Sequence, residues 1–371
     1  MISYEIAQYL QPATDLVVLA LSFAAFQKWQ SLDANKLLTQ NWTSPTIITV
    51  VFTLYSILIG FRPPSGILFG DSANYAMLYG WNNLGNIDQW INNGEWLFYL
   101  IQSVCYEYFE VSIFFTVIML GYMFIALKGI KRLFKNNTYG ALLFYIGAFS
   151  FFSYATNGIR NGLACSIAIL AMSYVAFPKK NYLVFALLCM AAYSIHRSTI
   201  LPIACMIASL FIKSTRPIIT FWVISIFLSI VAKGPIESFF SGLGFDDRLS
   251  GYINSAEDYA ELGYKSGFRP DFLLYSFMPI LLGMFVNSKL SRPDSTYNFL
   301  LNTYTLSNSF WVMLMNAAFS NRFAYLSWFM YPIVLAYPCL RMNVWRKKQG
   351  ATAGIILLIH TLFTVFMVLF Y

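Results

Sequence analysis

Long apolar stretches alternate with short basic clusters along this chain. Three of the stretches share one layout. Lys135 to Lys179 is centred on Arg160, Lys180 to Lys213 on His196-Arg197, and Arg292 to Arg341 on Arg322. One membrane span needs ~20 apolar residues, so each stretch is too long for one span and about right for two. Basic residues mark the cytoplasmic side. Each stretch therefore predicts a helical hairpin with its ends inside and its arginine at the outer tip. Such cations are candidates for gripping an anion on the extracytoplasmic face.

The same reading along the whole chain predicts about twelve spans. They fall near 12–28, 45–62, 110–128, 138–155, 158–177, 181–195, 198–212, 217–232, 271–288, 297–319, 323–340 and 351–370. On this layout sixteen of the 24 Lys and Arg residues lie in cytoplasmic loops, with only Asp33 and Asp294 beside them. Both termini come out extracytoplasmic. Polar span residues gather towards the outer side. Two outer loops are long, about 63–109 and 233–270. Within the first, Trp96 to Phe109 is apolar but short, which predicts an interfacial or re-entrant helix. The chain reads as one all-α, polytopic membrane domain over 1–371.

Composition agrees: 58% of residues are hydrophobic and 11% charged. A net charge of +8 would suggest nucleic acid in a soluble protein. Here it is split among short loops, which is a topology signal. Met1 to Gln11 has no basic segment or small-residue cleavage site of a signal peptide. The five cysteines lie in or beside apolar spans and read as buried packing residues. No nucleotide-binding loop, redox motif or zinc-hydrolase motif occurs, and neither a cofactor nor a metal is expected. The adjacent Asp246 and Asp247 are weak evidence for an ion.

Arg160 lies in Asn157-Gly158-Ile159-Arg160-Asn161-Gly162, where Asn and Gly let the backbone turn. Its permanently charged fork suits a phosphate, and the flanking spans offer it no acid. The bland alternative is a snorkelling interfacial arginine. His196 and Arg197 sit between two arms of about 15 residues, or ~22 Å each. That is short of a ~30 Å hydrocarbon core, so an ionisable pair is expected below the outer surface. His196 suits acid–base work; the alternative is a structural histidine. His360, inside the last span, reads as packing. Asp71 and Glu95 are candidate bases for a hydroxyl, against the alternatives of loop solvation for Asp71 and a helix-end charge for Glu95. Phe319, Phe323, Tyr325 and Trp328 read as an interfacial belt or a sugar-stacking surface. Arg248, Arg269 and Asp271 flank the second long loop and are candidates for shaping a substrate entrance.

An ordered set of short patterns then points to a family. They are Asp71-x-x-x-Tyr75 followed by Glu95; Arg160-x-Gly162-x-Ala164; Ala192-x-x-Ile195-His196-x-Ser198; Gly267-Phe268-Arg269-x-Asp271-Phe272; and Asn321-Arg322-Phe323-x-Tyr325. In these the chain resembles the EpsG family of Wzy-type bacterial polysaccharide polymerases. The resemblance implies a GT-C-like glycosyltransferase of the bacterial inner membrane with its active site facing outward. It implies undecaprenyl-diphosphate-linked oligosaccharides as donor and acceptor, and a chain-length regulator as a partner. On this reading Asp71, Glu95 and His196 are catalytic, and Arg160, Arg197 and Arg322 bind the diphosphate. Tyr75, Arg269, Asn321 and Tyr325 touch substrate. A flippase or exporter of lipid-linked glycans, or a glycan ligase, is the alternative.

Overall fold

A computed structural model describes residues 1–39, 45–80, 87–92, 94–232, 234–235, 267–316 and 320–370. All regular structure among them is helical. The first compact unit comprises 1–196 with 335–371, and the second comprises 197–334. The first contains α1 (Leu10–Trp29), α2 (Pro45–Gly60), α3 (Ser72–Met77), α4 (Trp96–Tyr108), α5 (Val111–Phe134), α6 (Thr138–Ile146), α7 (Phe149–Thr156), α8 (Ile159–Ser173) and α9 (Tyr182–Ile195). The second contains α10 (Ile200–Phe211), α11 (Arg216–Val231), α12 (Pro270–Lys289), α13 (Ser295–Met313) and α14 (Asn321–Trp328). Then α15 (Tyr331–Arg341) ends in residues of the first unit, to which α16 (Gln349–Phe370) belongs.

Helices lie in each segment that hydropathy marks. Among the described residues, five helical stretches are long and apolar enough to cross a membrane, with Asn321–Arg341 (α14 together with α15) as one of them, and five more are shorter apolar helices of 10–17 residues. The protein is therefore a multi-pass membrane protein. Two expected spans are broken. The 138–155 segment divides at Gly147-Ala148 between α6 and α7, and the 323–340 segment divides between α14 and α15. Broken helices leave carbonyls without an intrahelical donor, which apolar surroundings penalise. Here α16 supplies donors: His360 Nε2 lies 2.9 Å from the Phe144 carbonyl, and Thr364 Oγ1 donates to the Gly147 carbonyl at 2.7 Å. His360 is thus a packing residue, as its place in an apolar helix suggests. The five cysteines are likewise buried.

In the first unit α5 packs against α2 and α8, α8 against α9, and α1 along α16. The buried stripe of α1 is Asp15, Val18, Ser22, Ala25 and Trp29, spaced three and four apart. Opposite it, Gly350 and Gly354 sit where a Cβ would collide with the Trp29 carbonyl and with Phe26. Two small residues four apart allow backbones to approach, which is how helices pack where lipid removes the hydrophobic drive. Ser22 and Thr361 close the seam with a hydroxyl pair at 3.1 Å.

In the second unit α13 is the centre, with α10, α11, α12 and α14 around it. Polar residues run along α13 from Asn298 to Ser309 and are buried. They do not gather at one end, as hydropathy suggests. Several knit helices together. Asn302 Nδ2 donates to the Ile212 carbonyl at 2.9 Å, Trp222 Nε1 to Asn308 Oδ1 at 2.8 Å, and Asn308 Nδ2 to Ser327 Oγ at 3.0 Å. Such bonds satisfy groups that lipid cannot.

Candidate active site

Three residues distant in sequence meet in the first unit. Arg160 Nη1 donates to Glu95 Oε2 at 2.5 Å, and His196 Nδ1 lies 2.8 Å from Glu95 Oε1. Glu95 precedes α4, after a turn that Gly94 makes with φ +76. Arg160 stands in the first turn of α8, and His196 follows the last turn of α9. The packing of α9 on both α4 and α8 brings the three together. Glu95 makes no helix-capping bond; its carboxylate holds the arginine and the histidine.

Glu95 and Arg160 are 9% and 8% exposed, so neither is a surface charge. Burying an ion is costly unless it is paired and hydrogen-bonded. Glu95 has a partner on each oxygen. Arg160 has more: its Nε donates to the Tyr75 hydroxyl at 3.3 Å, and Nη1 lies 3.5 Å from the Tyr99 hydroxyl. The rings of Tyr75 and Phe98 each lie 5.5 Å from its guanidinium carbon. Arg160 is therefore no snorkelling residue. The expectation that it lacks an acidic partner also fails, because that acid comes from 65 residues earlier in the chain.

An ionised carboxylate only accepts hydrogen bonds. In a neutral His196 this contact selects the tautomer in which Nδ1 carries the proton and Nε2 the lone pair. A carboxylate–imidazole pair of this kind orients a general base.

Asp71 is held to the same corner. Its backbone N–H donates to Asn157 Oδ1 at 2.9 Å, three residues before Arg160. Gly70, at φ +53, is where the loop turns against that side chain, and a Cβ there would strike the Asn157 amide. Beneath this corner lies Arg62, fully buried. It donates to the Ile59 and Thr156 carbonyls, both at 2.9 Å, and its guanidinium lies 4.5 Å from the Phe115 ring. It caps the ends of α2 and α7 with one cation and so fixes the start of the Asn157–Arg160 turn.

The EpsG family model matches residues 46–371. The chain belongs to the EpsG family. No curated protein and no solved structure matches it. Family membership makes it a membrane protein of polysaccharide biosynthesis, of the glycosyltransferase-like polymerase kind.

The remaining candidate residues of this EpsG chain lie in its second unit. Arg197 opens that unit in the short turn Arg197–Thr199 and is half-buried. Arg269 is clasped by its neighbour Asp271, through Nε at 3.0 Å and Nη2 at 2.6 Å, and stacks 4.0 Å from the Phe272 ring centre. Asn321 and Arg322 are half-buried at the start of α14. Tyr325 is buried, with its ring 5.6 Å from that of Trp328. Phe323 and Trp328 form neither a belt nor a stacking surface. They are core, and Trp328 donates to Ser276 Oγ at 2.8 Å. Phe319, Asp246, Asp247 and Arg248 lie outside the described residues.

Tyr99 and Arg62 are site residues that sequence reasoning misses, and Asn157 is read there as a turn former without its bond to Asp71. Tyr99 lies one helical turn after Glu95, and that spacing is its only signal. Arg62, before Pro63-Pro64, looks like any residue at the edge of a span.

Proposed function

We propose that this protein polymerises lipid-linked oligosaccharide repeat units at the outer face of the bacterial inner membrane. The observation that carries the reading is Glu95 bridging Arg160 and His196. The reaction joins the oxygen of an acceptor sugar hydroxyl to the donor's anomeric carbon. The bond from that carbon to the diphosphate oxygen breaks, and undecaprenyl diphosphate leaves with the electron pair. His196, oriented through Nδ1 by Glu95, takes the hydroxyl proton at Nε2. Glu95 is then a positioning residue, and Asp71 is the second carboxylate at the acceptor side. Arg160, with Arg197 and Arg322, stabilises charge developing on the diphosphate, where a preorganised cation acts most strongly. Tyr75, Arg269, Asn321 and Tyr325 orient the sugars. A chain-length regulator sets when elongation stops.

The test reads single repeat units at the cell surface. A deletion strain is expected to expose single units outside and to make no long chains. The His196→Ala and Glu95→Gln strains should share that phenotype, with protein present in the membrane. Lipid-linked units accumulating inside, with none at the surface, would replace the polymerase by an exporter. Intact polymer that fails only to reach its final acceptor would replace it by a ligase. Orientation has its own readout: an outside thiol reagent should label a cysteine at position 158, 198 or 320, and not one at 136, 181 or 288.

A further inference from the structure

In the first unit α1 packs along α16 and α2 along α5, but α1 and α2 hardly touch each other. The gap between them is an apolar furrow floored by α6 and α7. One half, about 250 Å³, lies beside Thr14, Tyr55 and Phe151. The other, about 420 Å³, lies beside Trp29, Tyr139 and Leu142. The halves share Leu21, Val51, Phe52 and Ile146 in their walls, so the furrow is continuous. Its rims face outward: Val17 is 59% and Val51 54% exposed.

Length decides what suits it. From Leu10 to Trp29 the furrow follows α1 for roughly 28 Å at 1.5 Å per residue, close to the ~30 Å of a whole hydrocarbon core. An acyl chain of one leaflet fills half of that. A single chain filling all of it must be about twice as long. The Thr14–Tyr55 end is also the site end. Thr14 and Tyr55 hydroxyls meet at 3.2 Å, the rings of Tyr55 and Phe151 lie 6.3 Å apart, and α7 runs from Phe151 to the carbonyl that Arg62 caps beside Asn157. The near end of the furrow, at Phe151, is thus about six residues, or ~9 Å along the helix, from Asn157 at the Arg160 corner.

We propose that the furrow between α1 and α2 holds a single long polyisoprenoid chain, the lipid part of the donor, running across both leaflets. This rests on the polymerase reading for the headgroup. The furrow's half nearest Tyr55 takes the first isoprene units, and the half nearest Trp29 takes the far end.

A chain-length ruler tests it on the full protein in phospholipid nanodiscs. Farnesyl phosphate and undecaprenyl phosphate, each with a photoreactive diazirine at the chain terminus, are cross-linked and the labelled peptides mapped. The short probe should label around Thr14, Tyr55 and Phe151, and the long probe around Ala24, Trp29 and Leu142. Ala24→Phe should cut long-probe labelling there by ~10-fold, since it displaces several buried methylenes, and spare the short probe; Ala24→Leu should fall between. Labelling by both probes at the same residues, or outside the furrow, overturns the proposal. So does displacement of the long probe by added phospholipid alone. The ruler contains no sugar, so it stands or falls separately from polymer synthesis, which the surface assay reads.

Discussion

Two arginine–carboxylate pairs differ in how the chain makes them. Arg269 and Asp271 are two residues apart and close their clasp within one turn. Arg160 and Glu95 are 65 residues apart, and Glu95 is shared with a histidine 101 residues further on. The first pair needs only local backbone. The second exists only once α4, α8 and α9 have packed, and it buries a charge to do so. Expense of that kind, repaid by no local gain, marks residues retained for what they do together.

The sharpest way to break this contrast is at the shared carboxylate. Glu95→Gln leaves the shape but removes the anion from between Arg160 and His196. Breaking a buried pair from one side costs ~3–5 kcal/mol, and losing an oriented base slows transfer by ~10²–10⁴-fold. Polymer should vanish and the melting temperature should fall. His196→Ala should match it in polymer but cost less stability, because Glu95 keeps Arg160. If Glu95→Gln makes normal polymer, the cluster is structural only.

Arg160→Lys comes next. One ammonium cannot reach Glu95, Tyr75 and Tyr99 as a planar fork does, so polymer should be nearly lost and recovery over alanine poor. Gly70→Ala should be milder, costing ~1–2 kcal/mol for the positive φ and the crowded Asn157 amide. Polymer should then shorten in proportion to protein level. Arg269→Ala should have the smallest effect. A local, partly exposed pair contributes ~1 kcal/mol or less to stability, and polymer should be reduced but present. Loss as complete as in Arg160→Ala would erase the distinction between the two pairs.

Hydropathy and loop charge locate the helices because lipid imposes length and side on every span. They name Arg160, Glu95 and His196 separately, because each is an ionisable residue where the pattern does not need one. They do not join them, since loop charge reports sides and not pairs. For the same reason Arg160 looks acid-free from its neighbours. Arg62 leaves no trace in the sequence, because its partners are backbone carbonyls, which every residue has. The interruption at Gly147-Ala148 is equally silent. An apolar run looks unbroken when the groups that make a break tolerable lie 216 and 217 residues away.

That interruption also ties the arginine corner to a distant helix. The helix it splits leads directly into Asn157 and Arg160, and the donors that seal it, His360 and Thr364, belong to α16, more than 200 residues further along the chain. Without α16, the Phe144 and Gly147 carbonyls at the interruption would lose these donors. A variant lacking α16 would carry every candidate catalytic residue and still lack the donors that seal the break. The turn that presents Arg160 thus depends on contacts made by a helix that carries no candidate catalytic residue of its own.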